Sequence, residues 1–388
     1  MSKNPDQLPY FKAKEALGER GMANFLLRKF KPGIKRKIPR HYLTQSIPHN
    51  RLRWIKKESK RYPYFLRFDI RLYYPSIEHT VLLEKLPEIY QKITGKPISR
   101  RFKRYLKGEI PEFLSKTPYG KGIPIGSRLS FALAGIFFLD LDWEIKNPFL
   151  RQTDDYLIFC KQKKEPENLL RNVILPKLQE LHLEINEKKL TSGRFHRDRV
   201  NFIGFDFYAG HFTIAEDKVE EFKRKITKLT SLTRKKPEGA IIKAFNNKIL
   251  GFGHYYKFAD CENAFKDLDA FTRFRLRRYI LRNRDLFPKT GNFLLTNAAL
   301  KSLGLKSLSD IKGQFDRKSG KKSRKSTKNN SKSSHFRKQT DWHKLEQISE
   351  KHTQIQVLRQ LTELTSLIKK LERRLASLER RLVVKNRL

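Results

Sequence analysis

The stretch Phe149-Leu150-Arg151-Gln152-Thr153-Asp154-Asp155-Tyr156-Leu157-Ile158-Phe159-Cys160 sets two adjacent carboxylates between two apolar runs. The runs have the length and composition of buried strands, so the stretch predicts a β-hairpin with Asp154 and Asp155 at its turn. Taken alone, an acid pair at a turn is an ordinary structural or solvated feature. It gains weight from a second apolar run, Tyr64 to Ile70, which reads as a strand ending near Asp69 and leads into a helix opened by Ser76 and Glu78. Three carboxylates brought together repel unless they share divalent cations, and a two-metal site is the standard solution for in-line displacement at phosphorus.

Working outward, Lys12 to Arg67 is basic with aromatic and Pro punctuation and reads as short helices and loops. Ser99 to Lys116 reads as helical and basic. The loop at 117–126, TPYGKGIPIG, then opens into SRLSFALAGIFFLDLDWEI, apolar nearly all round as a buried helix is. Its small residues Ser130, Ala132, Ala134 and Gly135 admit a close neighbour. An amphipathic helix from Pro166 to about His182 precedes the strand-like LEINEKKL and VNFIGFDFYAGHFTI, the latter broken into a hairpin by Gly204 and Gly210. This order of strands and helices predicts an α+β layer rather than a doubly wound parallel sheet.

Beyond Ala215 helical spacing dominates, over Asp217–Arg234, Gly239–Tyr256 and Ala264–Arg284, and the third of these carries Arg273, Arg275, Arg277, Arg278, Arg282 and Arg284. Residues 312–338 are Ser-, Lys-, Arg- and Asn-rich and read as a disordered linker. After it, Val357, Leu361, Leu364, Ile368, Leu371, Leu375, Leu378 and Leu382 alternate in steps of four and three, the seam of a coiled coil or of a helix docked on a groove.

Composition bounds the function. The 388 residues hold 85 Lys+Arg against 40 Asp+Glu, a formal charge of +45, while 28 Phe and 14 Tyr supply a sizeable core. A chain disordered throughout is excluded, and a charge of this size favours a nucleic acid over an anionic membrane surface or small acidic ligands. Two distant cysteines, Cys160 and Cys261, argue against a disulfide framework or a Cys-rich zinc module and fit a reducing compartment. No signal-like or membrane-length apolar run is visible, so the expectation is a soluble, cytoplasmic protein with no membrane partner.

Five motifs then line up in one order. Asp69-Ile70-Arg71-Leu72-Tyr73-Tyr74-Pro75-Ser76-Ile77 resembles the first palm motif of reverse transcriptases. Gly122-Ile123-Pro124-Ile125-Gly126-Ser127-Arg128-Leu129-Ser130 resembles their G-x-P-x-G-x-x-x-S loop, and Arg151-Gln152-Thr153-Asp154-Asp155 their R-Y-x-D-D turn. Asn186-Glu187-Lys188-Lys189 is similar to the fourth motif, N-x-x-K, and Phe202-Ile203-Gly204-Phe205 to the F-L-G-F primer grip. The region from Asn247 to Tyr256 and from Phe271 to Tyr279 resembles the helical thumb or maturase-like region of group II intron-related enzymes. Gln152 stands where the family usually has Tyr or Phe, Ile125 where many members have Gln, and Phe131 where Pro or Gln is common. Only 68 residues precede Asp69, which implies reduced or rearranged fingers whose nucleotide-binding Arg or Lys the sequence does not place.

The resemblance to bacterial reverse transcriptases of the group II intron-like, diversity-generating and defence-associated lineages implies a set of roles. Asp69, Asp154 and Asp155, with the Ile70 carbonyl, would hold two Mg²⁺ ions, with Mn²⁺ as a substitute. Tyr74 would lie under the sugar and block a 2′-hydroxyl, unless Tyr73 and Tyr74 exchange inward and outward places. Arg71 would meet the triphosphate or cap a helix, and Gly122, Pro124, Gly126 and Ser130 would complete the nucleotide site or form an ordinary loop. Lys189 would protonate the departing pyrophosphate or stay solvated. Phe202, Gly204, Tyr255, Arg275 and Arg278 would hold primer and template, with core packing the alternative for Tyr255.

The implied architecture is a right-hand polymerase palm with compact fingers, a helical thumb and a C-terminal coiled-coil-type helix. Its divisions are 1–63 for the N-terminal basic segment, 64–215 for the palm, 216–311 for the thumb, 312–340 for the linker and 341–388 for the long helix. The implied function is an RNA-directed DNA polymerase that extends a DNA or RNA primer with dNTPs on an RNA template, which in a dedicated system would be a non-coding RNA. Antiviral defence leads among biological programmes, ahead of diversity generation or an intron-derived role. A non-catalytic, maturase-like RNA-binding protein is the rival class, and a palm-type RNA polymerase is a third reading that the Tyr74 gate discriminates against. The terminal helix would serve a homo-oligomer or a protein partner.

Overall fold

The computed structural model describes residues 17–38, 42–43, 48–117, 120–231, 237–283 and 295–318, which divide between two compact units, 1–213 and 214–388. In the first unit, helices α1 (Leu17–Lys37) and α2 (Pro48–Glu58) precede strand β1 (Tyr64–Phe68). Helices α3 (Tyr73–Ser76), α4 (His79–Thr94), α5 (Arg100–Lys107), α6 (Glu109–Leu114), α7 (Arg128–Phe137) and α8 (Leu139–Glu144) follow. Then come β2 (Phe149–Gln152), β3 (Asp155–Cys160), α9 (Glu165–Leu169), a π turn over Leu170–Ile174, α10 (Leu175–Glu180) and β4 (Thr191–Arg194).

These strands form one antiparallel sheet in the order β2-β3-β1-β4. The strands at its centre, β1 and β3, bury nearly every side chain, because apolar residues on both faces meet packed layers. Phe68 pairs with Tyr156, and Gln152 pairs with Asp155, leaving Thr153 and Asp154 as a two-residue turn. That register lays the end of β1 alongside the start of β3. The acids predicted at a strand end and at a hairpin turn therefore share one end of the sheet.

The N-terminal segment differs from the expected short helices and loops. Helix α1 runs for 21 residues, and Met22, Leu26, Phe30 and Ile34, four apart, are buried in the core while its lysines and arginines face outward. It packs on α4 and α7, and a Cβ on its Gly33 would lie 2.4 Å from the Ile93 carbonyl oxygen. Basic composition masked an apolar stripe.

A small meander follows, β5 (Val200–Phe202), β6 (Phe205–Tyr208) and β7 (His211–Ile214). Its turns, Ile203-Gly204 (φ 48 and 80) and Ala209-Gly210 (φ 48 and 81), are left-handed at both central residues, the geometry that tight hairpins favour. The single hairpin expected here is therefore two.

The second unit is helical, with α11 (Glu216–Leu229), α12 (Glu238–Tyr256), α13 (Glu262–Asn283), α14 (Asn297–Ser302) and α15 (Leu308–Lys318). Helix α15 packs on α12 and α13. Asp269 of α13, buried, accepts hydrogen bonds from the Ser307 hydroxyl (2.7 Å) and the Leu308 and Ser309 amides (2.8 and 3.0 Å), satisfying donors at the start of α15. Residues 312–318, expected in a disordered linker, are thus the end of a docked helix. Lys312 is buried between Glu262 and Asp316, and Phe315 packs edge-on against Phe258. The rest of the expected linker and the long C-terminal helix lie outside the described residues. Among the described residues both cysteines are buried and free, and no helix is long and apolar enough to cross a membrane.

Candidate active site

Asp69, just past β1, and Asp154, at the β2–β3 turn, meet where the sheet ends. Burial and then the charge of Asp69 push the Asp154 carboxyl above its ordinary range. Asp155 is pushed to about 6, chiefly by burial, against the opposing pull of Arg67. The Arg67 guanidinium grips Asp155 by both ends, Nε to Oδ1 at 3.1 Å and Nη2 to Oδ2 at 3.3 Å. Lys189 Nζ lies 2.9 Å from Asp69 Oδ2, with Asn186 Nδ2 at 3.5 Å from its Oδ1.

Two cations therefore draw the outer carboxylates aside, and among the described residues no three His, Cys, Asp or Glu side chains converge as a ready metal cage. The charge of Asp69 raises both Asp154 and Asp155, and for Asp154 it is the largest effect after burial. Hard carboxylate oxygens suit a small divalent cation. The bridge between Ile70 and Ile185 is made through the Asp69 carbonyl and the Arg71 amide, so the Ile70 carbonyl points the other way, toward the β3 side.

The acid turn is held from beneath. Thr153 has φ 58, a left-handed conformation that is costly for a β-branched residue. Its carbonyl accepts a 2.9 Å bond from Arg151 Nη1. Arg151 is wholly buried, and its Nη2 also reaches the Gly135 carbonyl (2.9 Å) and Asp142 Oδ2 (2.7 Å). Tyr156 donates its hydroxyl to Asp142 Oδ1 at 2.8 Å and stacks on Phe68 with ring centroids 4.6 Å apart. Gln152 accepts from Arg51 of α2. Sequence reading passed over Asp142, which shares the short helix α8 with Asp140 and Glu144 and is the acid of the three that Arg151 reaches.

A pocket of about 460 Å³ opens close by, lined by Arg20, Tyr74, Phe131 and the Ile125–Arg128 stretch. Tyr74 is half-buried, and burial followed by the charge of Asp154 pushes its phenol up to about 12. Gly126 (φ 100) has no atom within 4 Å of where a Cβ would stand, so the backbone itself forms the pocket wall. Arg20, from α1, and Arg128, at the first turn of α7, are pocket-lining basic residues that the sequence did not single out. The buried face of α1 is what brings Arg20 here.

Other expected nucleotide contacts fall elsewhere. Tyr73, expected among the nucleotide-binding residues, turns into the core, donates to the Ala134 carbonyl and packs edge-on against Phe138. Gly122 (φ 91) is buried; its amide bonds the Ile77 carbonyl at 2.7 Å, and a Cβ would press on the Pro75 backbone at 3.3 Å. His79 and Thr117 both donate to its carbonyl at 2.8 Å. Ser130 is buried and donates to the Pro124 carbonyl, tying loop to helix. Gly122, Pro124 and Ser130 therefore shape the pocket from behind rather than line it. Arg71 faces Glu184 at 3.3 Å on the surface.

Of the expected primer and template residues, Phe202 is buried in the core and Gly204 occupies a hairpin turn. In the second unit, Arg275 bonds the Thr230 hydroxyl at 2.6 Å and reaches the Thr227 carbonyl, joining α13 to the end of α11. Tyr255 packs edge-on with Tyr256, and Arg278 lies over the Phe274 ring.

Residues 20–207 match the family described as reverse transcriptase (RNA-dependent DNA polymerase), and residues 219–292 match the group II intron maturase-specific domain. A search of curated proteins returned no match. Among solved structures, apo telomerase from Candida tropicalis aligns at 14% identity and TM-score 0.42, covering 77% of this chain and 56% of that one. Telomerase from Candida albicans in complex with a fragment of telomeric RNA aligns at 14% identity and TM-score 0.39, covering 69% and 52%. The chain spans about half the length of the telomerase chains it matches.

Proposed function

Residues 20–207 belong to the reverse transcriptase family and residues 219–292 to the group II intron maturase-specific domain, and from that premise we propose that the protein is an RNA-directed DNA polymerase extending a 3′-hydroxyl with dNTPs. One observation carries the reading: Asp69 and Asp154 are set against each other at the sheet end, near a pocket that holds Tyr74, a bare Gly126 backbone and two arginines. Lys189 offsets part of the repulsion between the two acids, and a divalent cation bound by both would offset the rest.

The family uses divalent metal ions, and Mg²⁺ is the ion proposed here, held by Asp69, Asp154 and the Ile70 carbonyl. When bound, such ions activate the attacking hydroxyl and neutralise the triphosphate. The protein's own groups do the rest. Arg20 and Arg128 line a pocket suited to an anion, and their charge there favours a triphosphate. Tyr74 supports the sugar face and leaves no room for a 2′-hydroxyl. Lys189, half-exposed and bonded to Asp69, can turn its ammonium to a departing pyrophosphate as general acid. Asp155, gripped by Arg67, steadies the end of β1 against β3.

The test is dNTP incorporation on an RNA template by purified protein, with Asp154→Asn as control. Incorporation that depends on divalent metal and is lost in the variant supports the reading, and equal synthesis by the variant refutes it. Tyr74→Ala should raise ribonucleotide incorporation. A second reading, RNA binding without synthesis, is favoured by the maturase-specific match alone, and it predicts RNA affinity with no incorporation in the parent protein. Antiviral defence is proposed as the biological programme on the motif variants Ile125 and Gln152, and sequencing the nucleic acid that copurifies with the protein tests it.

A further inference from the structure

The most heavily buried ion pair described in the first unit, Arg151 with Asp142, has side chains of 0% exposure and lies directly beneath the acid turn. Burying such a pair is costly, and apolar residues of the same volume often serve stability as well or better. Its connections are unlike those of a simple core tie. From Arg151 Nη1 the network reaches the carbonyl of Thr153, the residue before Asp154. From Asp142 it reaches Tyr156, the residue after Asp155, whose ring stacks at 9° on Phe68, the residue before Asp69. One buried pair is thus linked to residues flanking all three acids.

The strained link is Thr153. A β-branched residue at φ 58 costs on the order of 1–3 kcal/mol and persists only where its surroundings over-determine it. The Arg151 bond to the Thr153 carbonyl supplies that constraint, and the Gly135 carbonyl and Asp142 fix the guanidinium in turn.

We propose that Arg151, Asp142 and Tyr156 form a positioning unit that fixes Asp154 relative to Asp69, so that metal affinity depends on a buried network that touches neither metal nor substrate. The inference rests on the polymerase reading for its purpose but on these bonds for its substance. Groups that orient ligands in this way change metal affinity by about 10–100-fold when lost. Asp142→Asn keeps the shape and removes the charge that holds Arg151. Tyr156→Phe removes only the hydroxyl bond and keeps the stack on Phe68.

The experiment uses the full chain and Mn²⁺ alone as probe, with binding followed by electron paramagnetic resonance without template or nucleotide and Asp69→Ala as the site control. Asp142→Asn is expected to weaken Mn²⁺ binding about 10-fold, and Tyr156→Phe less but in the same direction. RNA affinity and the KM for dNTP should stay at parent values while kcat at limiting metal falls, and raising Mn²⁺ should restore it. General destabilisation would not be rescued by metal. Should Asp142→Asn fail to fold, Tyr156→Phe decides. Folded variants with parent Mn²⁺ affinity, in a parent that incorporates dNTPs, would overturn the positioning unit alone. A parent that binds Mn²⁺ at Asp69 but adds no dNTP would overturn the polymerase reading alone.

Discussion

Asp154 of the first unit and Asp269 of the second are both withdrawn from solvent, and they are treated in opposite ways. Asp269 accepts from three donors at the start of α15, and the structure around it is complete. Asp154 faces another carboxylate and is pushed toward its protonated form. A buried acid with a full set of donors holds a fold together, whereas one set against its own kind leaves a charge for something else to balance. The arginines divide similarly. Arg275 and Arg277 of the second unit bond Thr230, Leu295 and Asn297, while Arg20 and Arg128 line a pocket.

The widest separation between the two acids should appear in activity. Asp154→Asn is expected to reduce dNTP incorporation by on the order of 10³-fold, about 4 kcal/mol of barrier, with thermal stability unchanged or raised because a repulsion is removed. Asp269→Ala should do the reverse, destabilising the second unit by about 3 kcal/mol through unsatisfied buried donors while leaving Mn²⁺ affinity at the first unit's site unchanged. Denaturant unfolding with metal titration on each variant checks both, and a crossed result would erase the distinction.

Acidity sharpens it further. The folded pKa of Asp155, about 6, is raised above the unfolded value near 3.8. Its favourable contribution is therefore full below the unfolded pKa and lost as pH rises through the folded one. Metal-free protein should unfold at lower denaturant at pH 7 than at pH 5, and Asp155→Asn should flatten that slope. The smallest effect belongs to Gly253, where a Cβ meets the side-chain tips of Ile311 and Leu308 at 2.6 and 3.1 Å. Gly253→Ala should cost about 1 kcal/mol in the second unit, read as a shift in denaturant midpoint, with incorporation unaffected.

The parts of the site closest to the chemistry were the most legible. Asp69 at a strand end and Asp154 at a turn follow from hydrophobic runs interrupted by acids, and the helical second unit follows from spacing. Less legible were residues whose role depends on which side of the chain they face. Adjacent Tyr73 and Tyr74 read alike, yet one bonds the Ala134 carbonyl in the core and the other lines the pocket. Arg20 lay in a segment whose charge hid the apolar stripe that docks α1 beside the pocket. Lys312 looked like linker because its partners Glu262 and Asp316 are not read from local composition.

The sequence by itself determined the hairpin with its acid pair, the mixed order of strands and helices, the five ordered motifs and the basic excess of +45. Periodicity and turn chemistry are local, so they survive without knowledge of the fold. Only the tertiary structure decided that Arg67 grips Asp155, that Lys189 rests on Asp69, and that Arg151, Asp142 and Tyr156 lie under the turn. Those pairings join residues up to 120 positions apart, and they are fixed by strand register and helix packing rather than by any residue's own preference.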